Sequence, residues 1–192
     1  MARHPGLAID PTASSNLALA EFQLAPGARL TIGPRFVTER RRHALRFFLG
    51  PGAQVEIGPD VWLRTDLGPV ILACFAGARM VLGPEAFVNG AHLSAKRELV
   101  LGRRAWVGPG SRVFDSDQHD FDAERPEAAA PVRIGDHVWV ASDCTVLKGV
   151  TIGEHAVVGA RSLVTRDVPP HTLAFGAPAT PRGTVGDRSR VR

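Results

Sequence analysis

The stretch IGDHVWVASDCTVLKGVTIGEHAVVGARSLVTRDV, residues 134–168, places an aliphatic residue at every sixth position: Ile134, Val140, Val146, Ile152, Val158 and Val164. An amphipathic helix would repeat near 3.6 residues and a half-buried strand near two, so neither template fits. A second ladder, offset by four, runs through Val138, Cys144, Val150, Ala156, Ser162 and Val168, all small or β-branched. Two residues of each hexad therefore face one interior. Gly135, Gly153 and Gly159 follow first-ladder residues, with Ala141 in a fourth such place, as a chain turning tight corners would want. Three hexads make one coil, and stacked coils bury each aliphatic rung against the next. The expectation is an all-β solenoid.

Upstream the period lengthens. PGARLTIGP, PGAQVEIGP and AGARMVLGP begin at 26, 51 and 76, and GRRAWVGP completes a fourth copy, so that Ile32, Ile57, Leu82 and Val107 fall 25 apart. Each wide coil reads as three hexads plus a seven-residue segment: ALRFFLG, PVILACF and a shifted AKRELV. These are apolar or alternating and predict strand. The change of width is expected around 113–133. Residues 1–25 read as a lead-in, in which Ser14 or Ser15 caps a helical turn through Leu17, Leu19 and Phe22, or the same residues alternate as a strand. The repeat domain is placed at 26–181 and a flexible tail at 182–192.

Composition describes one soluble unit: 192 residues, 44% hydrophobic and 22% charged. The sequence pI is about 10.0, but Lys stands only at 96 and 148 and the other cations are all Arg. Spread along the chain, they read as compositional bias rather than a nucleic-acid footprint. Cys74 and Cys144 make no disulfide framework, and neither a secretory leader nor an integral membrane segment is evident, which points to the cytoplasm.

After Val113 the chain reads FDSDQHDFDAERPEAAAP, polar and acidic, before the hexads resume at Ile134. This segment, near 115–131, must leave the coil as a protruding loop. A break in a repeat is where function is expected. The chain resembles the hexapeptide-repeat acyltransferases, on the strings VRIGDHVWVASDCTVLKGVTIGEHAVVGARSLVTRDVPP and GAPA. The resemblance implies a left-handed parallel β-helix; the hand comes from the family, since crossover statistics favour the opposite one. Asp115, Asp117 and His119 are similar to the D-T-D-x-H string of polysaccharide O-acetyltransferases, where the histidine is catalytic. Transfer of an acyl group to a hydroxyl requires the alcohol to lose its proton as it attacks, and imidazole suits that step near neutral pH. His119 is the implied general base, with Asp117 or Asp115 orienting its ring. The competing reading is an exposed acidic loop that happens to hold a histidine.

The same resemblance implies acetyl-CoA as co-substrate, a homotrimer with the donor groove between neighbouring prisms, and a sugar or glycan acceptor. It places Trp139 beside the reaction centre, the backbone of Ala141, Ser142 and Ala160 on the pantetheine arm, and Thr165, Arg166 and Arg182 near the nucleotide end. Arg161 stands where the family has glycine, and Thr180 and Pro181 where it has a basic residue. Arg188, Arg190 and Arg192 read as a solvated tail.

Two other classes compete. His119, His137 and His155 lie 18 apart, inviting comparison with γ-type carbonic anhydrases, but those need two histidines five apart and Glu124 and Ser142 stand there instead, so no metal is expected. A non-catalytic solenoid scaffold is the third reading. His92 falls at an interior position, as a packed exception or as a lining of the acceptor site. Trp62, Phe87, Trp106 and Trp139 each end a hexad and point outward, as a subunit interface or ligand wall would.

Overall fold

The structure is a computed structural model that describes residues 5–191. Strands of successive coils pair in parallel to form the three faces of a prism. The first face runs from Leu7–Ile9 through Arg29–Ile32, Gln54–Ile57, Arg79–Leu82, Glu98–Leu101 and Val132–Ile134 to Thr151–Ile152. The second begins at Val37–Thr38 and continues through Trp62–Arg64, Phe87–Asn89, Trp106–Val107, Trp139–Val140 and Val157–Val158 to Thr172–Gly176. The third comprises Glu21–Leu24, Leu45–Leu49, Val70–Cys74, His92–Ala95, Arg112–Phe114, Thr145–Val146 and Leu163–Val164. Every residue of both sixfold ladders is buried, and larger side chains such as Phe36, Phe47 and Leu72 fill the wide coils. No helix among the described residues is long and apolar enough to cross a membrane.

Three features differ from the sequence reading. The coil narrows earlier than expected: Leu82 pairs with Leu101 on the first face, while Val107 pairs with Val88 on the second. The connection from second to third face, long between Thr38 and Leu45 and between Arg64 and Val70, shrinks to Gly90 and Ala91. Segment 95–100 is accordingly split, and Glu98–Leu101 opens the next coil. At the other end, Leu7–Ile9 pairs with Leu30–Ile32 and Glu21–Leu24 with Arg46–Leu49, so residues read as a lead-in already build the prism. Between them Ser15–Leu19 is a short 3₁₀ turn, with Ser14 Oγ accepting from the Asn16 amide.

The third difference concerns glycine. Gly135 and Gly153 do not carry the left-handed backbone; His137 and His155, two residues on, do, with φ of 56° and 59°. Glycine is needed for proximity instead. A Cβ at Gly135 would lie 2.8 Å from the Glu154 amide nitrogen, and one at Gly33 would lie 2.9 Å from the Gly58 carbonyl carbon. Coils stacked this closely leave no room for a side chain at that point.

Candidate functional site

The acidic loop leaves the edge between the third and first faces after Phe114 and rejoins at Val132. Its root is Asp115, fully buried, whose two carboxylate oxygens accept from the amides of Lys96 and Arg97 at 2.7 Å each. Burial raises its pKa, opposed by those amide hydrogen bonds. The Ala130 amide donates back to the Asp115 carbonyl at 2.8 Å and closes the loop's base.

Both lysines of the chain brace this loop. Lys96 Nζ donates to the Gln118 carbonyl at 3.0 Å and pairs with Glu127 at 2.8 Å, and Lys148 Nζ pairs with Asp117. The Lys148 ammonium, as the largest cause, holds the Asp117 carboxyl below its ordinary range, and Lys96 does the same for Glu127. The second Asp117 oxygen accepts from the Ala128 amide at 3.2 Å.

His119 is presented by this frame. It follows Gln118, whose φ of 72° turns the chain, and it is exposed. Within the described residues it makes no hydrogen bond or ion pair. The orienting role expected of Asp117 or Asp115 is therefore not realised within one chain. Lys148 and the Ala128 amide engage Asp117, and two backbone amides hold Asp115 in the interior.

The remaining implied residues fall on different edges. Trp139 lies on the second face and remains 41% exposed. Next to it, Ala141 and Ser142 occupy the edge between second and third faces, and the Arg161 amide donates to the Ser142 carbonyl, so Ala160 lies one coil further along the same edge. Thr165 and Arg166, both exposed, stand on the loop's edge one coil beyond Leu147 and Lys148; the Leu147 amide donates to the Val164 carbonyl. Arg182 lies on a hairpin strand, Ala179–Thr184, with its guanidinium 5.5 Å from the Phe175 ring centroid. One chain thus spreads these residues over two edges and a face.

His92 corrects its expectation. Its strand pairs with Ile71 and Arg112, its ring points outward, and it meets Phe114 edge-on at 5.4 Å. Burial, and then the Arg112 charge, lower its pKa. His137 and His155 stack at 4.9 Å, and His155 and His171 at 4.8 Å, along the edge between first and second faces. That edge is not the one carrying His119, so the three histidines spaced by 18 do not converge on a metal. The described residues contain no cluster of metal-binding side chains.

The tail was expected to be solvated, and the structure places Arg188 otherwise. Its guanidinium sits 5.5 Å from the Trp139 ring and 5.9 Å from that of Trp106. Arg190 is exposed, and Arg192 lies outside the described residues. Lys96 and Lys148 were also missed, although the one visible signal was in plain sight: two lysines in an arginine chain, one on each side of the irregular segment.

Residues 131–166 match the profile of the bacterial transferase hexapeptide (six repeats). Nodulation protein L of Rhizobium meliloti is 38% identical over 115 residues, covering 57% of this chain and 62% of that protein. A Schizosaccharomyces pombe protein, provisionally named an acetyltransferase, is 41% identical over 86 residues, covering 43% of this chain and 42% of its own length. The matched stretches thus span less than two thirds of either relative. Among solved structures, the polySia specific acetyltransferase NeuO superposes with a TM-score of 0.68 at 23% identity, covering 90% of this chain and 84% of that one. A hexapeptide-repeat acetyltransferase from Vibrio cholerae, complexed with acetyl coenzyme A, gives 0.57 at 22%, covering 90% and 75%. At such identities the likeness is one of fold. Residues 131–166 carry the hexapeptide repeat, the chain has the left-handed parallel β-helix fold, and its resemblance to the hexapeptide-repeat acyltransferases is borne out.

Proposed function

We propose that the chain is an acyl-CoA-dependent O-acetyltransferase that moves the acetyl group of acetyl-CoA to a hydroxyl of a sugar or glycan precursor, without a metal. One observation carries this reading: His119 is held exposed, with its ring nitrogens unengaged, on a loop braced at the prism edge that also bears Arg166. In the proposed step the acceptor hydroxyl gives its proton to the His119 imidazole as its oxygen attacks the thioester carbonyl. The C–S bond then breaks, and the departing thiolate takes the proton back. Backbone amides would hold the oxyanion between these events.

The division of Trp139, Ala141, Ser142 and Ala160 from Thr165 and Arg166 supports a homotrimer. A groove between neighbouring prisms would unite two edges that one chain keeps apart. The provisional name of the Schizosaccharomyces pombe protein and the acetyl coenzyme A bound by the Vibrio cholerae protein support the donor. Two free, buried cysteines, Cys74 and Cys144, suit the cytoplasm.

The test is release of CoA thiol from acetyl-CoA against a panel of sugars and small amines. His119→Ala should lower turnover by roughly 100-fold to 10,000-fold with donor affinity little changed. Arg166→Ala should weaken donor binding, flatten its salt dependence and keep turnover at saturation. Dialysis against a strong chelator should leave the rate unchanged. Normal turnover by His119→Ala, or activity lost to the chelator, would overturn the reading.

A further inference from the structure

The second face carries a column of aromatic side chains in register: Trp62, Phe87, Trp106 and Trp139. Trp62 and Phe87 meet at 5.1 Å, and Phe87 and Trp106 edge-on at 6.2 Å. After the terminal hairpin the chain returns across this face. The Val185 amide donates to the His171 carbonyl at 2.7 Å, and the Arg188 amide to His155 Nδ1 at 3.0 Å. Further on, the Arg104 guanidinium donates to the carbonyls of Ser189 and Val191. Residues 185–191 are thereby tied at both ends.

Between those ties Arg188 is fixed over Trp106 and Trp139, and its Nε donates to the His137 carbonyl at 3.0 Å. Among the described residues its two terminal NH₂ groups have no acceptor and the guanidinium forms no ion pair. The adjacent carboxylate is committed elsewhere, since Asp187 accepts from the Ser189 amide at 2.7 Å and from its hydroxyl at 3.0 Å. A guanidinium cannot shed its proton at ordinary pH. A partly desolvated one without a counter-charge is unfavourable until an anion supplies it. Stacking on indoles and a fixed Nε leave the outer edge of the fork ready for two parallel hydrogen bonds.

We propose that Arg188, Trp106 and Trp139 form an anion-recognition subsite that takes a carboxylate or phosphate group carried by the acceptor, the indole faces packing against the acceptor's ring. The assignment of this anion to the acceptor rests on the function proposed above. Binding of the anion itself does not.

The probes are glucuronate, glucose and inorganic phosphate, titrated against the full chain without acetyl-CoA and read by tryptophan fluorescence. Glucuronate should bind at least about 10-fold more tightly than glucose, because the fork adds a charge-assisted pair. Arg188→Gln should abolish that preference while leaving glucose binding unchanged. Arg188→Lys should restore it only in part, since a lysine cannot present the fork. If phosphate matches glucuronate and is lost with it in Arg188→Gln, the fork accepts either anion; if only glucuronate responds, it is selective for a carboxylate on a sugar ring. An equal response to glucose and glucuronate, or an anion preference that survives in Arg188→Gln, would overturn the subsite. So would a loss of CoA affinity in that variant, which would assign the guanidinium to the donor. Both variants should melt with the unmodified chain, because neither touches an interior rung. Because binding is measured without the donor, a chain that failed every acetyl-transfer assay would still answer this question.

Discussion

The prism and the loop that interrupts it are held by different physics. The prism is apolar inside: Val146, Ile152, Leu93 and Leu101 are all 0% exposed, and its strands pair coil by coil. The loop 115–131 has only Asp115 and Ser116 fully inside, and it is fastened by two lysine-carboxylate pairs and two amides on one buried carboxylate. Burial of apolar surface is indifferent to protons, whereas the lysine pairs depend on them. The loop can therefore be loosened without disturbing the scaffold that carries it.

The largest effect should come from breaking the prism. Val146→Asp puts an unpaired carboxylate on a stacked rung at a cost of several kcal/mol, and circular dichroism should show the C-terminal coils unfolded. Ser142→Asp, on an edge, should melt much closer to the parent; identical melting of the two would mean that the rung assignment is wrong.

Asp115→Ala joins the two regions and should cost about 1–3 kcal/mol, because the amides of Lys96 and Arg97 lose their acceptor. Calorimetry would measure it, and an unchanged melting point would show that water replaces the carboxylate.

Lys148→Met should act on the loop alone. Amide hydrogen exchange should quicken at Asp117 and Ala128, with global stability changed by less than about 1 kcal/mol, as for a pair of this exposure.

The smallest effect is the acid response of the unmodified chain. The Asp117 and Glu127 carboxyls are held below their ordinary values by Lys148 and Lys96, so their pairing is fully present above those values and disappears as pH falls through the depressed ones. Loop amides should lose protection in that window while the rungs on Val140 and Val158 keep theirs. Loss of both together would mean that loop and prism are one cooperative unit.

The interior was legible because it obeys a strict rule. Both ladders from 134 to 168 fell where the period placed them, and the outward register of Trp62, Phe87, Trp106 and Trp139 followed from the same pleat. The wide coils misled for an arithmetical reason. A coil of nineteen residues from Leu82 to Leu101, followed by one face of six, reaches the same Val107 that a coil of twenty-five would. Only hydrogen-bond partners separate the two. In the loop, nearness in sequence suggested that Asp117 or Asp115 attends His119, but the Lys96 and Arg97 amides hold Asp115, and Lys148, which engages Asp117, lies 31 residues from it in sequence and one coil away in space. A one-dimensional pattern cannot show a competitor that arrives from the next turn. Arg188 was missed for the same reason: nothing near it in the sequence announces the two indoles it covers.

The left-handed corners between the first and second faces have a consequence for how such a molecule changes over time. Arg35, Asp60, Glu85, Arg104, His137, His155 and His171 all hold φ between 52° and 59°. Their side chains nevertheless form an ion pair at Arg35 and Asp60, a cationic grip on the tail at Arg104, and a run of stacked imidazoles spaced 4.8 to 4.9 Å apart. One backbone shape thus accepts acid, base or aromatic ring without asking the rungs behind it to move. That edge works as an addressable strip, one letter per coil, on which new surface chemistry can be written while the architecture stays fixed.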